Sequence, residues 1–452
     1  MIDPTILAQS LRTTVIGVMF LTHIQFAAFL IGIIGLGVLM EFLGLLSGKQ
    51  PYYDRLARGL AKTAVTIYSV GAVIAIVLIV WLSLFYPVFW FAMMRVTFWP
   101  MLLEAITFVL TIAFLFPWYY LWDRLAPFKV VHLGLALALW FVAQTQQAMV
   151  DVMAGYLLTP APPQDVLRVF LNPTAMPLDM HRIVGDISFA GFLVAGWAAV
   201  RALRGRDAER RAYYDWVGNA GLLTGVGFLL LQPAIGVEYL MEIRTYAPGA
   251  FHTLMRGELS WVFLVLVGFY SLLFGLSVYY MFLQTRKSGQ RTGFLKIMLV
   301  VIGLSWFVLQ QPYVIGWSQE DWSFNFVNPL GAMQPWKYLA FAGLTIAGFL
   351  ALTQYARSLW RGLRWGNLAG GGRRAQLILL ALAILGAATM LTMGFVRERS
   401  RAPFLVYPAF QTEQHQYFPG AATTPQPALR PAGDSGAPAT SVGSGAEGGE
   451  AR

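Results

Sequence analysis

Residues 17–32 read GVMFLTHIQFAAFLIG, an apolar stretch interrupted by one imidazole, His23, and one side-chain amide, Gln25. The stretch lies inside an apolar run from about 13 to 46, longer than the roughly 20 residues that cross a bilayer core. It therefore reads as a transmembrane helix, and a titratable ring inside it demands a reason. The rest of the chain agrees with that reading. Its 452 residues are 57% hydrophobic and 12% charged, with a mean hydropathy of +0.60, values that belong to a polytopic membrane protein. The opening MIDPTILAQSLRTT lacks a basic n-region, and the run behind it is too long for a signal-peptide core, so the N-terminus is expected to be retained.

Ten apolar stretches can be counted, at about 13–46, 60–90, 97–122, 130–153, 180–202, 214–238, 258–284, 294–317, 336–356 and 375–396. The connecting segments alternate in charge. Most of the 32 basic residues fall in every second one, including Arg55, Arg58 and Lys62, then Arg124 and Lys129, then Arg201 to Arg211, Arg286 to Lys296 and Arg357 to Arg374. Basic connections stay in the cytoplasm, which places both termini outside it. The expected fold is an all-α polytopic bundle of about ten transmembrane helices, with no soluble domain and no internal repeat. From about Gly420 the Ala/Gly/Pro/Ser-rich tail holds too few large apolar residues to repay ordering, and it is expected to be disordered.

Converting sequence position to depth at about 1.5 Å per residue brings His23 of the first span, Glu104 of the third and His181 of the fifth to one level near the outer face. Gln144, Gln146, Gln147, Gln232, Glu238, Glu258, Gln310 and Gln311 fall near the same level. Glu41 and His132 lie near the cytoplasmic ends, where side chains can snorkel. For the glutamines an interhelical hydrogen bond is the simpler account, and for His23 alone it is as good as any other. A carboxylate in hydrocarbon costs about 2.5–3.5 kcal/mol even on insertion scales, so Glu104 is a functional candidate. The chain has no cysteine, which excludes disulfides, thiolate zinc, iron–sulfur clusters and covalent c-type haem. Two chemistries suit the remaining histidines: haem ligation, or a proton or ion pathway. The net charge of +10 reflects loop placement, and no nucleic-acid partner is expected.

Several motifs then follow one another in order: THIQFAAFLIGIIGLGVLMEFLGLLSGKQPYYD (22–54), LLEAITFVL (102–110) leading to LWDRL, VVHLGLALAL around His132, LNPTAMPLDMH ending at His181, LRGRD (203–207) and WFVLQQPYVIG (306–316). Together they resemble subunit I of the cytochrome bd quinol oxidases over about residues 13–320. The resemblance implies a haem-binding helical bundle over 1–320; the span count and charge pattern, beyond the matched part, add further transmembrane helices over 321–396 and an extracytoplasmic tail over 397–452. The resemblance also implies the prokaryotic inner membrane, a second membrane subunit, and electron transfer from a quinol to dioxygen near the outer face. The cofactors implied are haem b and haem d, each with its iron. By position His23 would be the axial ligand of a high-spin haem and His181 that of the low-spin b haem, with Glu104 on the proton route or near a propionate.

The sequence also departs from the family. A second glutamate in the third span is replaced by Thr111 and Ile112. The methionine expected from the seventh span as second ligand of the low-spin haem aligns with Leu264, leaving Met255 and Glu258 as substitutes. The Gln-Pro-Trp motif is shortened to Gln310, Gln311 and Pro312, and the quinol loop is reduced to about 239–257. A divergent branch is expected, with a partner cytochrome as an alternative electron donor. Two other functions stay open: a haem electron-transfer subunit that does not reduce oxygen, and a cofactor-free proton-coupled transporter using His23, Glu104 and His181 as a relay.

Overall fold

The computed structural model describes residues 4–47, 50–162, 164–255, 257, 259–310 and 335–411. The helices are α1 (Pro4–Leu46), α2 (Gln50–Phe85), α3 (Pro87–Val96), α4 (Phe98–Tyr120), α5 (Lys129–Tyr156), α6 (Val166–Phe170), α7 (Ala175–Leu203), α8 (Ala208–Leu229), α9 (Gln232–Tyr246), α10 (Pro248–Met255), α11 (Ser260–Lys287), α12 (Gly293–Leu309), α13 (Pro335–Trp360) and α14 (Gly372–Ser400). Among the described residues nine helical segments are long and apolar enough to cross a bilayer. The 17-residue α12 takes the place of the remaining expected span.

Local chemistry explains where the elements start and stop. Asp207 of LRGRD accepts a hydrogen bond from the Arg210 N–H at 2.6 Å and caps α8, a contact typically worth about 1 kcal/mol. Two expected spans are divided. The second ends at Phe85, and Pro87 opens the separate α3, because proline has no N–H to continue the ladder. The sixth breaks at Leu230–Leu231, and α9 restarts at Gln232 with Pro233 in its first turn. The region read as a shortened loop, 239–257, is largely helical, as the end of α9 and all of α10.

Helix α7 is the axis of the molecule. Of its apolar window 72% is buried, against 11% for α2, so α7 is enclosed by protein while α2 presents its sides outward. Ala190, Val194, Ala198 and Ala202 of α7 pack with α1, α2, α4 and α5 in one apolar cluster. On its other side Phe192, Ala195 and Ala199 pack with α8 and α11–α14 in a second. Alternate faces of one helix thus join two helical groups. Close approach is purchased with small residues. A Cβ on Gly191 would meet the backbone of Gly221 and Gly225 of α8 at 2.7 and 2.5 Å, and one on Gly32 of α1 would collide with the Asp186 carbonyl.

The last turns of α14 and the N-terminal half of α1 lie at one end of the bundle, because Gly394 of α14 abuts Leu21 of α1. That end, which also holds the α7 N-terminus, is termed upper. The lower end is tied by two buried polar groups. Asp215 of α8 accepts from Gln284 (2.9 Å), Lys287 (2.9 Å), Gln376 (2.7 Å) and the Gly366 N–H (2.8 Å). This joins α8 to α11, α14 and the α13–α14 loop. Glu41 accepts from Trp118 Nε1 at 2.7 Å and faces His132 Nδ1 at 2.7 Å, while His132 Nε2 faces the Trp118 carbonyl at 3.0 Å. The expectation that Glu41 and His132 snorkel to the interface is therefore corrected, since both are buried and each satisfies the other.

Residues 401–411, assigned from sequence to the tail, are ordered. They form a short β-hairpin in which β1 (Phe404–Val406) pairs antiparallel with β2 (Phe410–Gln411). The Tyr407 N–H bonds to Leu157 O at 2.9 Å, and its hydroxyl accepts from the Gly249 N–H at 3.1 Å. The hairpin thereby covers the upper end between α5 and α10. The remaining tail, 412–452, lies outside the described residues.

Candidate functional site

His181 stands in the second turn of α7, and its ring is poorly satisfied by protein. Its Nδ1 is buried without a hydrogen-bond partner, and its Nε2 faces the thioether sulfur of Met393 on α14 at 3.2 Å. Sulfur in a thioether is a weak acceptor. The surroundings are nevertheless ordered. Gln232 Nε2 donates to the His181 carbonyl at 2.9 Å, fixing the α8–α9 break against α7. The same amide sits 2.9 Å from where a Gly185 Cβ would stand, and a Cβ on Gly236 would come within 3.5 Å of the imidazole. Tyr239 lies beside the ring, centroid to centroid 6.0 Å.

A partly buried charge group lies at the same end of the bundle, beginning with Arg182, the next residue in the chain. Arg182 donates to Asp151 of α5, and Asp179 and Asp186 lie within its electrostatic reach. From α14, Arg397 approaches the Tyr239 hydroxyl at 3.4 Å and pairs with Glu398 at 2.9 Å, and Arg401 also donates to Glu398. Four carboxyls thus face three guanidiniums. One oxygen each of Asp151, Asp179 and Asp186 is buried without a partner. Carboxylates and arginines inside a membrane bundle mark ion or proton paths and cofactor sites more often than they serve packing.

His23 sits on α1 at the same end, within electrostatic reach of Arg182, and its Nδ1 is likewise buried and unpartnered. Glu104 of α4 accepts from Gln146 Nε2 of α5 at 3.1 Å, and Gln146 Oε1 accepts from the Thr111 hydroxyl at 3.1 Å. Helix α2 borders both residues. Tyr68 is close to Glu104 and donates to the Phe108 carbonyl at 2.9 Å, and one turn on Gly71 rests against Phe26 of α1. Thr111, at the position of the family's second glutamate, thus helps to hold the first.

Other expected residues fall elsewhere. Met255 is buried in an apolar cluster with Leu254, Leu259, Val262 and Val396. Gln310 caps α12 with a buried, unpartnered Nε2, and neither a hydrogen bond nor a ring contact joins it to either histidine. Glu258 and Gln311 lie outside the described residues. Glu238 is exposed and leaves the polar layer. Sequence reasoning passed over Asp151, Asp179, Arg182, Asp186, Arg397 and Met393. The charged members carried a signal, since each lies within or beside an apolar run, whereas Met393 carried none.

The sequence profile of the family described as cytochrome bd terminal oxidase subunit I matches residues 12–251. The chain belongs to that family. A search of curated proteins returned no match. Among solved structures the chain is similar to the bd oxidase from Geobacillus thermodenitrificans, at 14% identity and a TM-score of 0.49, covering 86% of this chain and 97% of that one. The cytochrome bd family is haem-containing, and its membership makes this chain a membrane subunit of the respiratory oxidase class. The matched segment includes His23, Glu104 and His181. Among the described residues no group of three His, Asp or Glu side chains is arranged for a bare ion. A haem asks less, because its ring supplies four ligands and the protein one or two.

Proposed function

We propose that this chain is the haem-binding subunit of a cytochrome bd-type oxidase, passing electrons from a quinol or a partner cytochrome to dioxygen near the outer membrane face. The observation that carries the reading is the His181 imidazole. A half-buried ring with one nitrogen buried and unpartnered and only a thioether against the other is an expensive packing element and a ready metal ligand. The residues present therefore fit a haem at His181, and the unpartnered His23 Nδ1 supports a second at His23. Haem b, with haem d at the oxygen site, would supply one-electron redox chemistry at iron.

The protein's own contribution is position and charge. Helix α7, enclosed on both faces, holds His181 with its Nδ1 out of reach of solvent. Gln146 orients the Glu104 carboxylate, while its amide holds that carboxylate better than it relays a proton. The excess carboxyl of the Arg182 group can take up and release a proton as electrons arrive. The reading places the chain in the prokaryotic inner membrane beside a second membrane subunit, with both termini and the tail outside the cytoplasm.

A reduced-minus-oxidised spectrum of the purified complex, with its haem extracted and counted, tests the proposal. A chlorin band beside b-type bands is the expected result. A well-folded colourless complex would overturn it and leave the transporter reading. Thr111 in place of a second glutamate favours a second reading, electron transfer without oxygen reduction. Under that reading the complex shows b-type bands alone and consumes no oxygen.

A further inference from the structure

We infer that the seam between α5 and α7 is a water-filled half-channel, open at the upper end of the bundle and closed near its middle. One face of α5 carries the evidence. Trp140, Gln144, Gln147 and Asp151 recur at spacings of four, three and four, which sets them on one side of a helix. Trp140 Nε1, both amide atoms of Gln144, both of Gln147 and Asp151 Oδ2 are buried there, and none has a hydrogen-bond partner among the described residues. The face is turned inward, since Trp140 Nε1 lies 3.1 Å from where a Cβ on Gly35 of α1 would stand, and Ile187 of α7 borders the same point. Opposite it α7 presents Asp179, Arg182 and Asp186, again along one side of a helix. Arg182 donates to Asp151, and Gln147 stands near enough to Asp179 to act on its charge, yet not at bonding geometry. Asp179 Oδ1 and Asp186 Oδ2 are buried and unpartnered as well.

Water is what such a row requires. A buried amide or carboxyl that meets no protein group is costly unless an internal water satisfies it, and each such water bridges several polar atoms. Two neighbours show the same side-chain types where protein suffices. Gln146, beside the row on α5, bonds to both Glu104 and Thr111, and the Trp118 indole donates to Glu41. At about 1.5 Å per residue the row from Trp140 to Asp151 is roughly 16 Å long, about half of a hydrocarbon core. It emerges at the upper end through Asp179 and Arg182, both partly exposed. Below Trp140 it stops, because Ala136 of α5, Met40 of α1 and Ala190 and Val194 of α7 are buried together in one apolar cluster. The half-channel therefore admits water and hydrated protons from the upper side and denies them a way through. It does not depend on the haem reading; where that reading holds, water formed from dioxygen would leave by this route.

The test uses the intact complex in its native membrane. In wild type a short X-ray pulse makes hydroxyl radicals from any water beside a side chain, and mass spectrometry then locates the oxidised residues. Trp140 should be oxidised, whereas Trp118, fully buried with its indole satisfied, and Phe141, facing outward beside it, should not. The absence of cysteine allows a second arm. Gln144→Cys and Gln147→Cys should each bind silver ion, small enough to follow water, when it is added on the side from which Leu171→Cys is labelled. Both should then resist maleimide after denaturation. Silver added from the other side should leave both thiols free, and Ala136→Cys should stay free from either side. A Trp140 no more oxidised than Trp118 overturns the inference without requiring any variant to fold. A thiol at 144 or 147 that stays free with silver on the Leu171 side overturns it as a dry contact, and one protected equally from both sides overturns it as a through channel.

Discussion

Two buried imidazoles are treated in opposite ways. His132 has both nitrogens occupied, by Glu41 and the Trp118 carbonyl, and is a strut between α1, α4 and α5. Glu41→Ala should therefore cost about 3–5 kcal/mol, the usual penalty for stranding half of a buried pair, measured as a lowered Tm with the visible spectrum of surviving complex unchanged. His181 is under-satisfied, and His181→Ala should remove the low-spin haem signal while the chain still inserts, as seen by comparing spectrum with membrane content. Glu104→Gln should keep haem content and slow turnover by about 100-fold or more, the range for removing a positioned proton donor or acceptor. Oxygen uptake in membranes checks this. Depth counting singled out His23, Glu104 and His181 because each is polar where lipid is expected. It misread His132, because depth locates a residue along a helix and says nothing of its partner. It could not find Met393, whose apolar side chain looks like any other in a membrane span.

At the scale of elements, charge alternation located the spans well because loop charge and span length are independent signals that agree. The breaks at Phe85 and Leu230 escaped because each lies inside one continuous apolar run, and only Pro87 and Gln232–Pro233 mark them. The helix crossings escaped altogether. A glycine stripe has meaning only against the helix it meets, and Gly191 meets Gly221 and Gly225 of α8. Gly191→Leu should force that crossing apart, costing about 1–3 kcal/mol as overpacking does. It should broaden the His181 haem signal, whereas Gly268→Leu, where a Cβ meets nothing within 4 Å, should do neither. Thermal unfolding followed at the haem band separates the two.

Among the described residues the two histidines with an unpartnered ring nitrogen, His23 and His181, lie at the upper end, and the doubly bonded His132 lies at the lower. The charge pattern assigns the upper end to the outer face, and the absence of cysteine makes that assignment easy to check. Trp360, at the end of α13, is 87% exposed, and Leu171, before α7, is 71% exposed. A single cysteine at 360 should react with an impermeant maleimide only in inverted vesicles, and one at 171 only in intact spheroplasts. The reverse pattern would turn the molecule over.

The separation of 212 positions from His181 to Met393 carries a consequence for biogenesis. At about 5–20 residues per second, α7 emerges from the ribosome some 10–40 s before the helix that closes over it. During that interval His181 has no sulfur beside it and its flank toward α14 is open to whatever the insertion machinery presents. On the haem reading proposed above, a cofactor at His181 would be loaded before α14 packs over it, and a chain stalled before α14 should then hold its haem loosely.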